Sequence, residues 1–461
     1  MYVHLIKALN DLRASYWFVP FCMLFSAIAL AVLTCWLDMN SAVEMFPQSS
    51  FLMASGTDGA RTILSVVASA VMGVAGVTFS ITIVAVSFAS SNFGPRLIGN
   101  FMRDRGNQFT LGTFIGTFAY CLIVLASVHD ASVDAHGNSV QPFVPYISVL
   151  TSLVLALGCI GVLIYYIHHI AETINIENII ADIGKRLKLR IIDIYPDADA
   201  SNSHVGENSF SVAAEKLQLA SVGCESIGYV QAIDHEKLVK LTKSHQILTR
   251  VHYRPGDFVT PHDCLLSIWS KDTDTVPVDE LRDCFATGPQ RTEHQNVLFL
   301  VEQLAEVIAR ALSPGVNDPF TAISCLNWYY LAIVEYVKAN PEVVDKQPME
   351  RRIVQIAPVT FDRLTSVMFD TTRQYIVSDL NALLHTMAML AECAWHSGSG
   401  VYHQTLVDYL TQYQKAGLEA HDCPVGINAI KERYEQSLSI LADTDSQSRY
   451  RYEIPWFGGS A

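Results

Sequence analysis

Residues 61–96 read RTILSVVASAVMGVAGVTFSITIVAVSFASSNFGPR. Arg61 and Arg96 bracket 34 positions without a single charge. As a helix that stretch is about 50 Å long, whereas a bilayer core needs only ~20 such residues. The segment therefore crosses a membrane and continues beyond it. Its small and hydroxyl residues form a pattern. Ser65, Ser69, Gly73, Gly76, Ser80, Ser87 and Ser91 recur at three- and four-residue steps, with one turn skipped near Val84. That spacing lays them in one stripe along one side of the helix. Such a stripe has two readings. Small residues let membrane helices approach closely, and a line of hydroxyls and bare backbone can also face a water-filled pore. The two merge if about five copies pack around a common axis.

Working outward, Gly94-Pro95 ends the stretch and Arg96, Arg103 and Arg105 follow it. Three more apolar runs are long enough to span: Trp17 to Leu37, Leu111 to Val128 and Phe143 to Ile167. The first is too long for the apolar region of a signal peptide, and no small-residue cleavage site follows it. Trp17 and Trp36 stand as interfacial anchors at its ends. Gly112 and Gly116 on the third span read as a packing pair. Lys7 and Arg13 precede span one, three arginines separate spans two and three, and Lys185, Arg186, Lys188 and Arg190 follow span four. The other two loops hold one Arg between them. Asp38, Glu44 and Asp58 read as residues of the first of these loops, and Asp130 and Asp134 of the second. The alternation follows the positive-inside rule and puts both termini in the cytoplasm.

The remainder differs in composition. Residues 1–170 hold six Lys or Arg and seven Asp or Glu, so the rest of the chain carries a net charge of −13. An acidic soluble half is a poor partner for nucleic acid. An amphipathic helix, with Ile174, Ile179, Ile180, Ile183 and Leu187 on one face, leads out of the fourth span. A polar boundary over 196–208 follows. β-like runs come next at Ser226–Ile233, Ile247–Tyr253 and Leu265–Trp269. Beyond Pro277 the pattern is helical, over His294–Leu312, Phe320–Lys338, Phe361–Ser378, Leu380–His396, Tyr402–Ala416 and Val425–Ala442.

Few residues point to chemistry. Ten cysteines occur without CxxC or a His/Cys cluster, and read as isolated buried thiols. No Walker loop, GxGxxG, GxSxG or HExxH is present. The middle of each span lacks ionisable side chains, which argues against a proton-coupled carrier or a voltage sensor. It leaves a passive pore open. Arg96, Arg103 and Arg105 suit lipid phosphates, or the mouth of a pore if several copies assemble. His168 and His169, beside Tyr165 and Tyr166, read as an interfacial belt or a pH-sensitive contact. Thr292 and Gln295 have capping-box spacing. Asn317 and Asp318 lie in SPGVNDPFT, where Asp318 suits an N-cap and Pro319 the first helical position.

Three segments carry a resemblance: RDRGNQ (103–108), YIHHI (166–170) and SPGVNDPFTA (313–322). They resemble a bacterial family of predicted inner-membrane proteins catalogued as a domain of unknown function. The resemblance spans nearly the whole chain and implies a bacterial inner-membrane location, without an activity. Separately, GYVQAID (228–234) and PGDFV (255–259) resemble the half-barrel hairpins of lipoyl or adaptor domains, but the modified lysine of lipoyl domains has no counterpart.

The expected protein is an α-helical membrane protein with a cytoplasmic α+β region. Residues 1–170 form the membrane domain, with spans at about 17–37, 63–89, 111–128 and 143–167. Residues 171–195 form a linking helix, 208–276 a small half-barrel-like β domain, and 277–455 an α-helical domain. The leading function is an oligomeric channel lined by span two, with small inorganic ions as candidate permeants. The rival is a non-conducting scaffold or sensor. No enzyme activity, cofactor or metal is expected, and a lipid-modifying enzyme would need a polar cluster at the membrane face that the sequence does not display.

Overall fold

Four long apolar helices carry the first part of the chain: α1 (Phe18–Met45), α2 (Gly56–Phe93), α3 (Arg105–Ser127) and α4 (Tyr146–Ile174). Each is long and apolar enough to cross a membrane. They are seen in a computed structural model, which describes residues 16–45, 56–94, Phe101, 104–130, 132–133, 139–140, 142–194, 218–272, 275–339, 353–356 and 359–442. Arg96, Arg103, Asp134 and the boundary at 196–208 lie outside the described residues. The chain divides into two compact units, one of Ala8–Ser91 with Pro95–Asn175, the other built mainly of Ile176–Ala461.

In the membrane unit α1 and α3 are close neighbours because Gly112 and Gly116 leave room. A Cβ at Gly112 would stand 2.5 Å from Met23 Sδ and 3.1 Å from the Pro20 backbone, and one at Gly116 3.3 Å from Ala27. α2 contributes a separate packed face of Ala60, Leu64, Ala68, Val71, Ala75, Ala85 and Ala89, all buried. Its upper part shares a core with Tyr120, Cys121, Val124 and Val149. Farther along, Val71 and Ala75 pack with Phe114 and Cys159. Three helices outrun their apolar cores. α1 continues to Met45, so Asp38 is a helical residue and not a loop residue. α3 begins at Arg105 because the Asp104 carboxylate accepts from Asn107 N and starts the helix early. α2 starts at Gly56, with Asp58 in its first turn.

α4 stops at Asn175, whose backbone is extended, and α5 (Ile176–Ile194) begins at the next residue. α5 buries Ile179, Ile180, Ile183, Leu187 and Ile191. This is the face its periodicity predicts, extended by Ile191, except for Ile174, which ends α4 and packs with Ala85, Tyr166 and Ile170. The face packs on α8 (Val297–Ala311) and α9 (Pro319–Lys338). Gly184 lets α5 lie against Trp328, whose ring would stand 2.0 Å from a Cβ there. Two of the four basic residues after span four are built into this unit, Arg186 with Glu293 and Lys188 with Glu335.

Between α3 and α4 a short pair joins β1 (Ser132–Val133) and β2 (Ser139–Val140), and the small sheets of the second unit use β3 (Gln218–Gly223), β4 (Gly228–Ile233), β5 (Leu248–Val251), β6 (Phe258–Val259), β7 (Cys264–Ser270), β8 (Phe285–Gly288) and β9 (Val354–Ile356). Helix α6 (His235–Ser244) joins β4 to β5, and α7 (Val278–Arg282) precedes β8. One sheet has the order β3-β7-β5-β9 and the other β6-β4-β8, and neither closes into a barrel. β9 pairs parallel with β5, with Thr249 opposite Val354. The parallel partner arrives only after α8 and α9 have been built.

Helices α10 (Phe361–Thr365), α11 (Arg373–Ser378), α12 (Leu380–His396), α13 (Val401–Ala420) and α14 (Pro424–Ala442) complete the unit. The single helix expected over 361–378 is broken by a π-turn at Ser366–Asp370. Tyr413 donates to Phe369 O at 2.9 Å, and Tyr409 to Asp370 Oδ2 at 3.1 Å, so two hydroxyls hold the altered turn. Burial, followed by the Asp370 charge, pushes the Tyr409 hydroxyl up to about 12. The expected capping box at Thr292–Gln295 does not form. Asn296 caps α8 by accepting from Phe299 N, while the Gln295 amide is spent on the backbone of Ile233.

Candidate functional site

The stripe on α2 faces away from its own bundle. Ser65, Ser69, Gly73, Gly76, Ser80, Ser87 and Ser91 are all exposed. At 3.6 residues per turn their centre lies about 160° from the packed face. No atom among the described residues comes within 4 Å of a Cβ built on Gly73 or Gly76. The glycines of the stripe thus differ from Gly112 and Gly116, which are filled by a neighbouring helix of the same chain. Large apolar side chains flank the stripe, among them Val66, Val77, Ile81, Val84 and Phe88. The hydroxyls that do pack inside the unit belong to the opposite face. Thr82 Oγ1 lies 2.9 Å from the Tyr166 hydroxyl, which donates to Thr78 O at 2.8 Å.

Polar groups gather at the two ends of the unit. At one end His169 Nε2 lies 2.8 Å from Asp104 Oδ2, the oxygen that also accepts from Asn107 N. The His169 ring stacks on Tyr165 at 5.2 Å and presses on Gly106, where a Cβ would stand 2.3 Å from Nε2. Asp104, Gly106 and His169 are therefore one clasp between the start of α3 and the end of α4. His168 is instead exposed and pairs with Glu172 at 3.3 Å. Arg105, beside the clasp, is exposed and has no carboxylate partner among the described residues.

At the other end Asp38 is buried. Its Oδ1 accepts from Ile147 N at 2.8 Å, and its Oδ2 from Ser148 N at 3.0 Å and Ser148 Oγ at 2.6 Å. Pro145 occupies the N-cap position of α4 and offers no side-chain cap. Asp38 supplies that cap from another helix and sets its charge against the positive helix end. The sequence signal is weak: an acid closing one apolar run, and a helix opening after an uncapped proline. Arg61 at the start of α2 donates to Asp130 at 2.6 Å. A Thr57 hydroxyl and then Arg61 hold the Asp130 carboxyl below its usual value.

In the second unit the corner at 313–321 forms as its residues predict. Asp318 caps α9, accepting from Thr321 N at 3.1 Å and Thr321 Oγ1 at 2.6 Å, with Pro319 in the first turn. Asn317 takes φ +51°, a left-handed conformation that Asn tolerates better than most residues. Among the described residues no three His, Cys, Asp or Glu side chains gather so as to hold a metal ion.

Residues 13–392 match the family described as predicted membrane protein (DUF2254). The chain belongs to that family. It is 32% identical over 327 residues to uncharacterised proteins of Mycobacterium bovis and Mycobacterium tuberculosis, a match covering 68% of this chain. The matched part spans 60% of the length of those relatives. No solved structure matches. In this member of the DUF2254 family, four apolar helices are thus followed by a mixed unit of small sheets and helices.

Proposed function

We propose that the protein is the subunit of an oligomeric membrane channel, with the stripe on α2 lining its pathway. The observation that carries this reading is the stripe's position opposite the packed face of its own helix, with Gly73 and Gly76 uncovered. A lipid surface is best served by large apolar side chains, and the flanks of α2 supply them. Serines and glycines confined to one arc fit water, a second copy of α2, or both around an axis. The absence of ionisable groups from the middle of the helices fits a passive route for small inorganic ions better than a proton-coupled carrier. The family resemblance implies a bacterial inner-membrane location, and the charge alternation supports both termini and the acidic second unit in the cytoplasm. No catalytic constellation among the described residues supports an enzyme, and the acidic second unit speaks against a nucleic-acid partner.

A non-conducting scaffold or sensor is the second reading. The observation in its favour is that this chain already uses Gly112 and Gly116 for close helix approach, so a stripe between copies could be a seam alone. Subunit number in detergent and ion flux in liposomes separate the two. The channel reading expects a ring of three or more copies that passes ions, and a Gly73→Trp ring that assembles and passes none. A monomer without flux would overturn it. Loss of assembly in Gly73→Leu, with no flux from the native ring, would favour the scaffold.

A further inference from the structure

A groove of about 460 Å³ opens between the first turns of α3 and the middle of α4. Its floor is Gly158 and Gly161, and no atom among the described residues lies within 4 Å of a Cβ at either. Phe109 and Tyr165, both about half exposed, form its walls, and Arg105 stands at its rim. The volume falls within the ~300–1,000 Å³ of small-molecule sites. The geometry points to a subsite for one anionic glycerophospholipid, its phosphate on Arg105 and the upper part of one acyl chain on the glycine floor.

Three features select that occupant. The groove lies on the outside of an apolar helix pair, so lipid is the solvent that reaches it. Depth matches the parts of a lipid: along α4, Gly161 lies about 6 Å and Gly158 about 10 Å farther from the clasp end than Tyr165. That places the bare floor at acyl depth and the aromatic and cationic rim at headgroup depth. Charge completes the match. Asp104, the adjacent carboxylate, is hydrogen-bonded to His169 and Asn107 N and forms no ion pair with Arg105. A guanidinium without a carboxylate partner among the described residues, beside an apolar trough, suits a phosphate with a chain attached. The clasp of Asp104 and His169 fixes the two helix ends that form the rim. This inference needs the membrane location but not the channel reading.

The test is native mass spectrometry of the full-length protein, released from detergent after exchange into phosphatidylglycerol or phosphatidylcholine. The native protein should hold a phosphatidylglycerol molecule more tightly than a phosphatidylcholine molecule. Arg105→Gln should weaken phosphatidylglycerol about fivefold, as one lost basic contact implies, and leave phosphatidylcholine unchanged. Gly161→Leu should fill the floor and remove both lipids, and the empty space around Gly161 should let this variant fold. Val154→Leu, exposed on the same helix outside the groove, should bind as the native protein does. Native lipid occupancy in Gly161→Leu would overturn the proposal. So would displacement by free glycerol phosphate at the same concentration as by lipid, since the site would then recognise phosphate alone. If Gly161→Leu unfolds, Arg105→Gln decides by itself, and unchanged phosphatidylglycerol affinity in it would overturn the proposal.

Discussion

Asp38→Ala should destabilise the membrane unit far more than its place near the end of an apolar run suggests. The carboxylate is 4% exposed and accepts three hydrogen bonds, two from backbone N–H groups of the first turn of α4 and one from Ser148 Oγ. Alanine removes every acceptor, and Pro145 cannot replace them. Loss of an N-cap costs about 0.5–2 kcal/mol, and a buried hydroxyl left without its partner ~1–3 kcal/mol. Because the donors lie near a helix end, water reaches some of them, so the expected total is about 2–4 kcal/mol. Asp38→Asn keeps an oxygen acceptor but turns an NH₂ toward one of the donors, and should cost about 1 kcal/mol. Asp58→Ala is the control. Its side chain is 98% exposed and stands 4.0 Å from Arg61, so the change should cost under ~0.5 kcal/mol. The assay is unfolding of the full-length protein in mixed micelles by added sodium dodecyl sulfate, followed by tryptophan fluorescence and circular dichroism. If Asp38→Ala unfolds at the same detergent fraction as Asp58→Ala, the trans-cap does not support α4 and the reasoning is wrong.

Three other outcomes follow from the second unit. Gly184→Ala puts a Cβ 2.0 Å from the Trp328 ring, so it should lower stability by about 1–3 kcal/mol despite alanine's better helix propensity; a melting temperature at or above the native value would contradict the packing. Asp318→Ala should cost ~1 kcal/mol and Asp318→Asn almost nothing, read by thermal unfolding; if the Asn change breaks assembly while the fold survives, the charge has a partner beyond Thr321. The Tyr253 hydroxyl donates to Asp263 at 2.6 Å. That bond, aided by Thr260, holds the Asp263 carboxyl below its usual value, and it pushes the Tyr253 hydroxyl up to about 12. The depressed acid contributes stability above its unfolded value near ~3.9, lost as pH falls through its folded value. The raised phenol contributes below its unfolded value near ~10, lost as pH rises toward its folded one. Tyr253→Phe should therefore destabilise between about pH 5 and 9 and converge with the native protein at both extremes; a pH-independent difference would contradict it.

The four spans were legible because charge-free runs of this length have few other uses, and α5 because its apolar face repeats at the helical period. Asp318 was legible because capping is local: acid, proline and donating N–H lie within four residues. What was missed acts over distance. Asp38 and the N–H groups it caps are 109 and 110 residues apart, and a single sequence gives no hint of such a pair. Strand β9 is three residues long and gains its pairing from β5, across three intervening helices. Its own side chains cannot announce a parallel neighbour. The π-turn at Ser366–Asp370 is held by Tyr409 and Tyr413 of another helix. Thr292 and Gln295 have the spacing of a capping box, but the Gln295 side chain is taken by the sheet. The stripe on α2 shows a different limit. Periodicity establishes that its residues share a side, while only the packing of the other helices reveals that this side is left uncovered.

Water should reach this side of α2 in the assembled protein, and the accessibility of Ser80 reports on it. Ser80→Cys barely changes size, and Ile81→Cys next to it lies about 100° round the helix. Both are made in a background without the exposed Cys22 and Cys423, reconstituted in liposomes, and treated with a small, permanently charged thiol reagent while ion flux is recorded. The channel account predicts fast modification at position 80 with a change in flux, and slow modification at position 81 without one. Equal protection of both positions, with no flux from the native protein under any ion gradient, would contradict it.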